Sequence, residues 1–397
     1  MRAARLAYMV ATLHSQRGHG DDVTAVPDTL AMLRERRGLT LTQIAAHFGR
    51  QTPWAHKIEN GNLSLTGDLL SDYAALLGVP VALLGEDIPL ADAGALHFRT
   101  LKLSKKVEKQ AKAEINFRSF LVTRLLRAAG QPEGLDLPQI DVRTLAEGPA
   151  AAARHLRERW VVEGPLAELI PLAEQAGMFF TTMPADLSKV RGVTVHHSPD
   201  ASPHTLVSRG ASDDLGRFTI AHEIGHLVMD ASSGEVDDLT CEARADQFAA
   251  ELLAPYSALR DDLRKVRVGD ARPLFELQAV WGVHPKALVE AAYRNGDMAA
   301  STRTHFYKLF NSRYRTALAL LPPPYPLEFR ATADLLSFMR TVGWSENLIS
   351  RLTNVSPQEL QSVLDGWTDA FDATARRPVA SVTPLVASVR DQVAGAL

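Results

Sequence analysis

His222-Glu223-Ile224-Gly225-His226 sets two imidazoles four residues apart with a carboxylate beside the first. Residues i and i+4 share one face of a helix, so both rings can reach one cation. The carboxylate next to a ligand is placed to take a proton from an attacking water, the division of labour in metal-assisted hydrolysis. A catalytic zinc site wants three protein ligands and an open position, and Glu242 supplies the third donor. Asp246 follows one helical turn later on the same face, where it can accept the second N–H of a ligating imidazole and fix its ring. Zn2+ is the default ion for two imidazoles and a carboxylate, and Mn2+ accepts the same donors. Cys241 precedes Glu242; as thiolate it would fill the open position, but adjacent helix residues diverge by about 100°, and a small buried side chain is the simpler reading.

Two helices must position these groups. The spacing predicts one over LGRFTIAHEIGHLVM, Leu215 to Met229, and another over EARADQFAAELLA, which Pro255 ends. MFFTTM, VRGVTVHH and HTLVSR are short β-branched or aromatic runs that predict a small antiparallel sheet. A sheet beside such a helix is where an extended peptide can add as a further strand. A developing oxyanion needs a donor besides the metal, and Tyr256, His196, His197 and His204 are the candidates, each also readable as a structural or surface group.

RFTIAHEIGH at Arg217–His226, followed by EARADQFAAELLAP at Glu242–Pro255, resembles the ImmA/IrrE family of bacterial and phage metallopeptidases. WGVHPKALVEAAYRNG at Trp281–Gly296 is similar to the segment that follows the active-site helices in that family. The resemblance implies a zincin-like fold, His222, His226 and Glu242 as metal ligands and Glu223 as general base. It also implies a helix-turn-helix repressor as substrate, cleaved to release mobile-element or DNA-damage genes.

Upstream, LAMLRERRGLTLTQIAAHFG and the stretch ending Ile58-Glu59-Asn60-Gly61 resemble the Xre-type helix-turn-helix family. That resemblance implies a recognition helix whose early residues face base edges, here Gln51, Thr52, Trp54, His56 and Lys57, with Gln43 as a phosphate clamp. Thr42 reads as the cap of the helix carrying Gln43. Arg50 stands where the family has an apolar core residue, and Ala55 where it has a larger aliphatic. Residues 27–86 hold five Lys/Arg against six Asp/Glu, so this module lacks a basic footprint of its own. Lys105, Lys106, Lys109 and Lys112, in the basic stretch that follows, are the candidate phosphate contacts; a solvated helix face is the alternative. PEGLDLP, Pro132 to Pro138, reads as a hinge.

At 397 residues, with 46% hydrophobic and 22% charged residues, the chain is expected to be multidomain and globular. The expected divisions are a flexible lead (1–26), the helix-turn-helix domain (27–86), a basic helical linker (87–140), the metallopeptidase-like domain (141–320) and a C-terminal helical region (321–397). The fold class is mainly α with a small antiparallel sheet (α+β). A net charge of −3 argues against a nucleic-acid coat protein, one cysteine fits a reducing cytoplasm, and no apolar run is long enough for a bilayer. The expected function is a cytoplasmic transcription regulator that binds double-stranded DNA and cleaves a repressor, or a second copy of itself, in a stress, DNA-damage or mobile-element response. Two other readings use the same residues: a non-catalytic regulator whose metal is a sensor or staple, and an antitoxin-like module that grips a protein partner. Glu223 discriminates, because a structural site has no use for a carboxylate base.

Overall fold

Thr40 rather than Thr42 starts the second helix of the N-terminal module. In this computed structural model, which describes residues 23–91, 96–100, 103–208, 213–229, 238–314 and 324–371, α1 is Pro27–Arg36 and α2 is Leu41–His47. Residues 1–22 of the expected lead and the last residues of the C-terminal region lie outside the described residues. The Thr40 hydroxyl accepts from the Gln43 N–H at 3.2 Å, and Gln43 Oε1 accepts from the Thr40 N–H at 2.9 Å, a reciprocal cap. Thr42 instead points its hydroxyl at that of Thr52, 3.2 Å away, at the start of α3 (Thr52–Glu59). Ala55 is fully buried where α3 meets Ile44 of α2, and its small side chain suits that close packing. Arg50 is exposed in the turn, so the departure from the family pattern buries no charge. Helices α4 (Gly67–Leu77) and α5 (Val81–Leu84) complete the module.

The expected linker is not one. It contributes strand β1 (Leu96–Thr100) and α6 (Lys105–Ala129), a 25-residue helix capped by Ser104 and ended by Gly130 at φ +63°. Phe117, Leu121 and Leu125 of α6 are fully buried. They share one core with Leu30 and Leu33 of α1 and with the C-terminal helices α15 (Ala331–Thr341), α16 (Glu346–Thr353), α17 (Pro357–Val363) and α18 (Trp367–Phe371). The apolar stripe of α6 that promised an amphipathic helix thus has partners on both sides. Buried charges accompany it: Glu114 accepts from Arg36 Nε of α1 at 2.7 Å and from Arg118 Nε at 2.6 Å, and Arg36 and Arg37 both reach Glu359 of α17. Pro132–Pro138 is pinned as well. The Asp136 N–H donates to the Ala176 carbonyl, that of Gly134 to Ser202 Oγ, and just beyond it that of Ile140 to the Val228 carbonyl. Gly177, at φ +98°, lies so close that a Cβ there would sit 2.1 Å from the Gly134 carbonyl oxygen. The expected hinge is a seam.

A second core holds α7 (Gly148–Arg159), α8 (Leu169–Gln175), α9 (Asp213–Met229), α10 (Asp238–Leu253), α11 (Tyr256–Leu263), α12 (Arg272–Trp281), α13 (Pro285–Arg294) and α14 (Ala300–Asn311) around a sheet. Strands β2 (Phe179–Thr182), β3 (Val190–Val195) and β4 (His204–Val207) join β1 in the order β1-β3-β4-β2. The sheet is mixed, not antiparallel: β2 and β4 run parallel while β3 is antiparallel to both β1 and β4. The short turn Ala185–Leu187 lies in a connection that carries the chain from β2 past one strand position, and β4 returns into the gap. Alternation then faces the sheet two ways. Val193, Val195 and Leu206 pack on Ala111 and Ile115 of α6, while Phe180 and Val207 pack with Ile220 and Ile224 of α9. Across the seam, Glu174 of α8 accepts from the N–H groups of Arg330 and Ala331 at the start of α15, with burial pushing its carboxyl up to about 7. No helix among the described residues is long and apolar enough to cross a membrane.

Candidate metal centre

Helix α9 is buried along nearly its whole length, so it must satisfy its polar side chains internally. Arg217, the largest fully buried side chain among the described residues, donates to the carbonyls of Leu166 and Ala167 and stacks its guanidinium 4.8 Å from the Tyr325 ring centre. Thr219 returns its hydroxyl to the Leu215 carbonyl. These contacts anchor the first turns of α9. Gly225 fixes the next: a Cβ there would meet Phe248 Cδ1 at 3.1 Å and Ala245 Cα at 3.3 Å, so glycine lets α10 approach closely opposite the two histidines.

That approach brings the donors together. His222 Nε2 and His226 Nε2 face each other at 3.0 Å, and the Glu242 oxygens lie 3.4 Å from the first and 3.2 Å from the second. Ligand atoms of the three residues all fall within 4.8 Å of one another. Asp246 Oδ1 stands 2.9 Å from His222 Nδ1, which makes that nitrogen the donor and leaves a lone pair on Nε2 pointing into the cluster. Burial would raise the Glu242 carboxyl, but its contacts with the His222 and His226 rings outweigh it and hold the group well below the usual carboxylate range. Both imidazoles are almost completely buried, whereas Glu242 and Asp246 are nearly half exposed, so the cluster opens to solvent on the α10 side.

Glu223 is 1% exposed, and neither carboxylate oxygen has a hydrogen-bond partner among the described residues. A lone buried carboxylate is costly unless water or a cation answers it. Together with two ring nitrogens converging on one carboxylate, it is the donor set and proton acceptor that a hydrolytic zinc site requires, and the residues fit the group. Cys241 is half-buried and stands outside the cluster. Replacing Asp246 by Asn removes a charged acceptor from His222 while keeping the shape. Metal affinity should fall by about ten- to a hundred-fold, read by competition with a chelating dye; an unchanged affinity would take Asp246 out of the site.

Gly192 of β3 was not singled out by its sequence context. A Cβ there would meet Thr219 Cγ2 at 2.5 Å and Glu223 Oε1 at 3.9 Å, so the β3 backbone lies directly on α9 beside Glu223. A cleft of about 860 Å³ reaches the site at Asp246 and is lined also by Arg191, Leu215, Phe218, Tyr256 and His284; His222, Glu223, His226 and Glu242 do not line it. Of the four oxyanion candidates, Tyr256 alone reaches this cleft; its hydroxyl donates to Asp297, and burial pushes it up to about 12. His204 is buried on the opposite face of the sheet against Thr181, its imidazole lowered to about 3 by burial, and takes no part. His196 Nε2 donates to the Ala201 carbonyl, and burial lowers both it and His197.

In the N-terminal module Gln51, just before α3, and His56 and Lys57 on it are exposed, and Thr52 is half-exposed. Trp54 is turned inward, its ring 5.3 Å from that of Phe48 and packed on the core. His56 Nδ1 is 2.7 Å from Asn60 Nδ2, and the cap uses Gln43 Oε1. Lys105 and Lys106 are exposed on α6, while Lys109 is paired with Glu35 at 3.0 Å and Lys112 with Glu108 at 2.8 Å. Half of the expected phosphate contacts are therefore already engaged within the chain.

Two family models match the chain: one described as IrrE N-terminal-like domain, a peptidase family, over residues 173–293, and one described as helix-turn-helix domain over residues 28–86. No curated protein and no solved structure matches it.

Proposed function

Because the chain joins a helix-turn-helix domain to an IrrE-type peptidase domain, we propose that it is a DNA-binding regulator that hydrolyses a peptide bond in a protein partner, using a zinc ion held by His222, His226 and Glu242. One observation carries the reading: the converged donors stand next in sequence to a buried Glu223 that has no hydrogen-bond partner among the described residues. When bound, the ion lowers the pKa of water and polarises a carbonyl. Glu223 takes the proton from the attacking water and returns it to the leaving amine. Asp246 holds the His222 ring in the ligating tautomer. The adjoining cleft, large enough for several side chains, receives the substrate. The proposed substrate is a helix-turn-helix repressor or a second copy of this chain, and a DNA-reading module with a lone cysteine supports a cytoplasmic setting in a stress or mobile-element response.

The test is incubation of the zinc-loaded chain with such repressors and with its own Glu223→Gln copy as substrate. Fragments that depend on Glu223 are expected. Full metal occupancy with no fragment from any of them would leave a non-catalytic metal-bearing regulator.

DNA reading has its own test. Substituting Gln51 and Lys57 by Ala should weaken specific binding by about 1–3 kcal/mol per lost base contact, in a fluorescence titration against a selected operator, and leave metal content unchanged. Equal binding by parent and variant would make this module a protein-contact surface.

A further inference from the structure

The outer edge of β3 is the sheet edge closest to the catalytic base, and the chain's own β1 occupies it. The backbone register pairs Arg99 with Gly192, Phe98 with Val193 and His97 with Thr194, antiparallel. Gly192 is the residue whose Cβ position lies 3.9 Å from Glu223 Oε1. A strand paired there runs about 4.8 Å from the strand that carries Gly192, and α9 packs against β1, β3 and β4. The peptidase family match begins at residue 173 and so takes in β2, β3 and β4 but not β1, which lies between the two matched regions. Without β1, β3 would end the sheet with a row of unpaired N–H and C=O groups beside Glu223, the kind of edge to which an extended peptide adds.

Resting on the peptidase reading above, we propose that this β3 edge is where the substrate docks as an extended antiparallel strand, and that Leu96–Thr100 is an intramolecular occupant which must leave first. β1 suits a removable strand. It is five residues long, and its pairing slips register between Arg99 and Thr100, which shortens the regular ladder. It also runs directly from the helix-turn-helix module into α6, so whatever moves that module relative to the second core pulls on the occupant. A tethered strand competes at the high local concentration its short connection imposes, and an outside peptide binds only in proportion to the fraction of chains whose edge is open.

The probe is a fluorescent peptide with the sequence of residues 94–102, and the protein is the full zinc-loaded chain carrying Glu223→Gln so that the probe is not consumed. Replacing residues 96–100 by Gly-Ser-Gly-Ser-Gly should raise affinity for the peptide about tenfold or more. His97→Pro, a milder change that removes an N–H facing β3 opposite Thr194, should act in the same direction. In hydrogen exchange, the amides of Gly192 and Thr194, the β3 residues that face β1, should lose protection in the replaced chain and regain it when peptide is added. An affinity gain below about threefold in both variants, or β3 amides that stay protected in the replaced chain, would overturn the proposal and make β1 a permanent edge. Neither readout requires turnover. Docking that behaves as expected without Glu223-dependent cleavage would therefore sink the peptidase reading alone, and cleavage without the affinity gain would sink this one alone.

Discussion

Glu223→Gln should retain one metal ion per chain and lose cleavage by about 10²- to 10⁴-fold. The glutamine keeps the volume of the buried side chain but cannot accept the water's proton, and Glu223 is not among the converging donors, so metal content is untouched. His222→Ala, His226→Ala and Glu242→Ala should behave differently, losing metal and activity together. Elemental analysis paired with a fragment assay separates the two classes. A Glu223→Gln chain that cleaves at the parent rate would remove the assigned base, and full metal in Glu242→Ala would remove the third ligand.

The largest stability effect should come from Glu114→Ala, at about 3–5 kcal/mol by urea denaturation, because truncating one member of a buried ionic group leaves the others uncompensated. The side chains of Arg36, Glu114 and Arg118 are 5%, 6% and 4% exposed, and together they tie α1, α6 and α17 into one body. Burial opposes the charged form of Glu114, but Arg36 and Arg118 outweigh it and lower its carboxyl. A lowered folded-state value means that this stabilisation is present above the ordinary glutamate range and is lost as pH falls through the folded-state value. The penalty of Glu114→Ala should accordingly shrink in acid. The triple change Arg36→Met, Glu114→Leu, Arg118→Met, which leaves no orphaned charge among these three, should recover much of the loss. A loss under about 1 kcal/mol for Glu114→Ala at neutral pH would show that the network does not hold the two ends of the chain together.

The cluster of His222, Glu223, His226, Glu242 and Asp246 is legible in one dimension. Imidazoles at i and i+4 share a face whatever surrounds the helix, and Glu242 and Asp246 repeat that spacing on the next one. Helix limits around Pro255, Gly130 and Gly177 are equally local, because proline and glycine act on their own backbone. Local spacing failed wherever a competing short-range option existed, as at Thr40 and Thr42, where only the Gln43 pairing decides which hydroxyl caps.

Contacts between distant segments have no local signature. LHFRT carries five residues of unremarkable alternation, and it becomes a strand because β3 offers an edge. The same run of β-branched and aromatic residues serves a parallel or an antiparallel neighbour, so the pairing of β2 with β4 had to come from the path of the chain. Pro132–Pro138 has the composition of a hinge, yet Ala176, Ser202 and Val228 supply partners that turn it into a seam. The basic stretch of α6 looks like a phosphate-binding face until Glu35, Glu86 and Glu359 arrive from elsewhere in the chain to meet its cations or those packed on it. Residue type and spacing dictate which atoms can hold a metal and move a proton, because those demands are met within one or two helical turns. Which strand covers the site, and which charges remain free for a partner, depends on neighbours brought together by packing, and only the folded chain decides it.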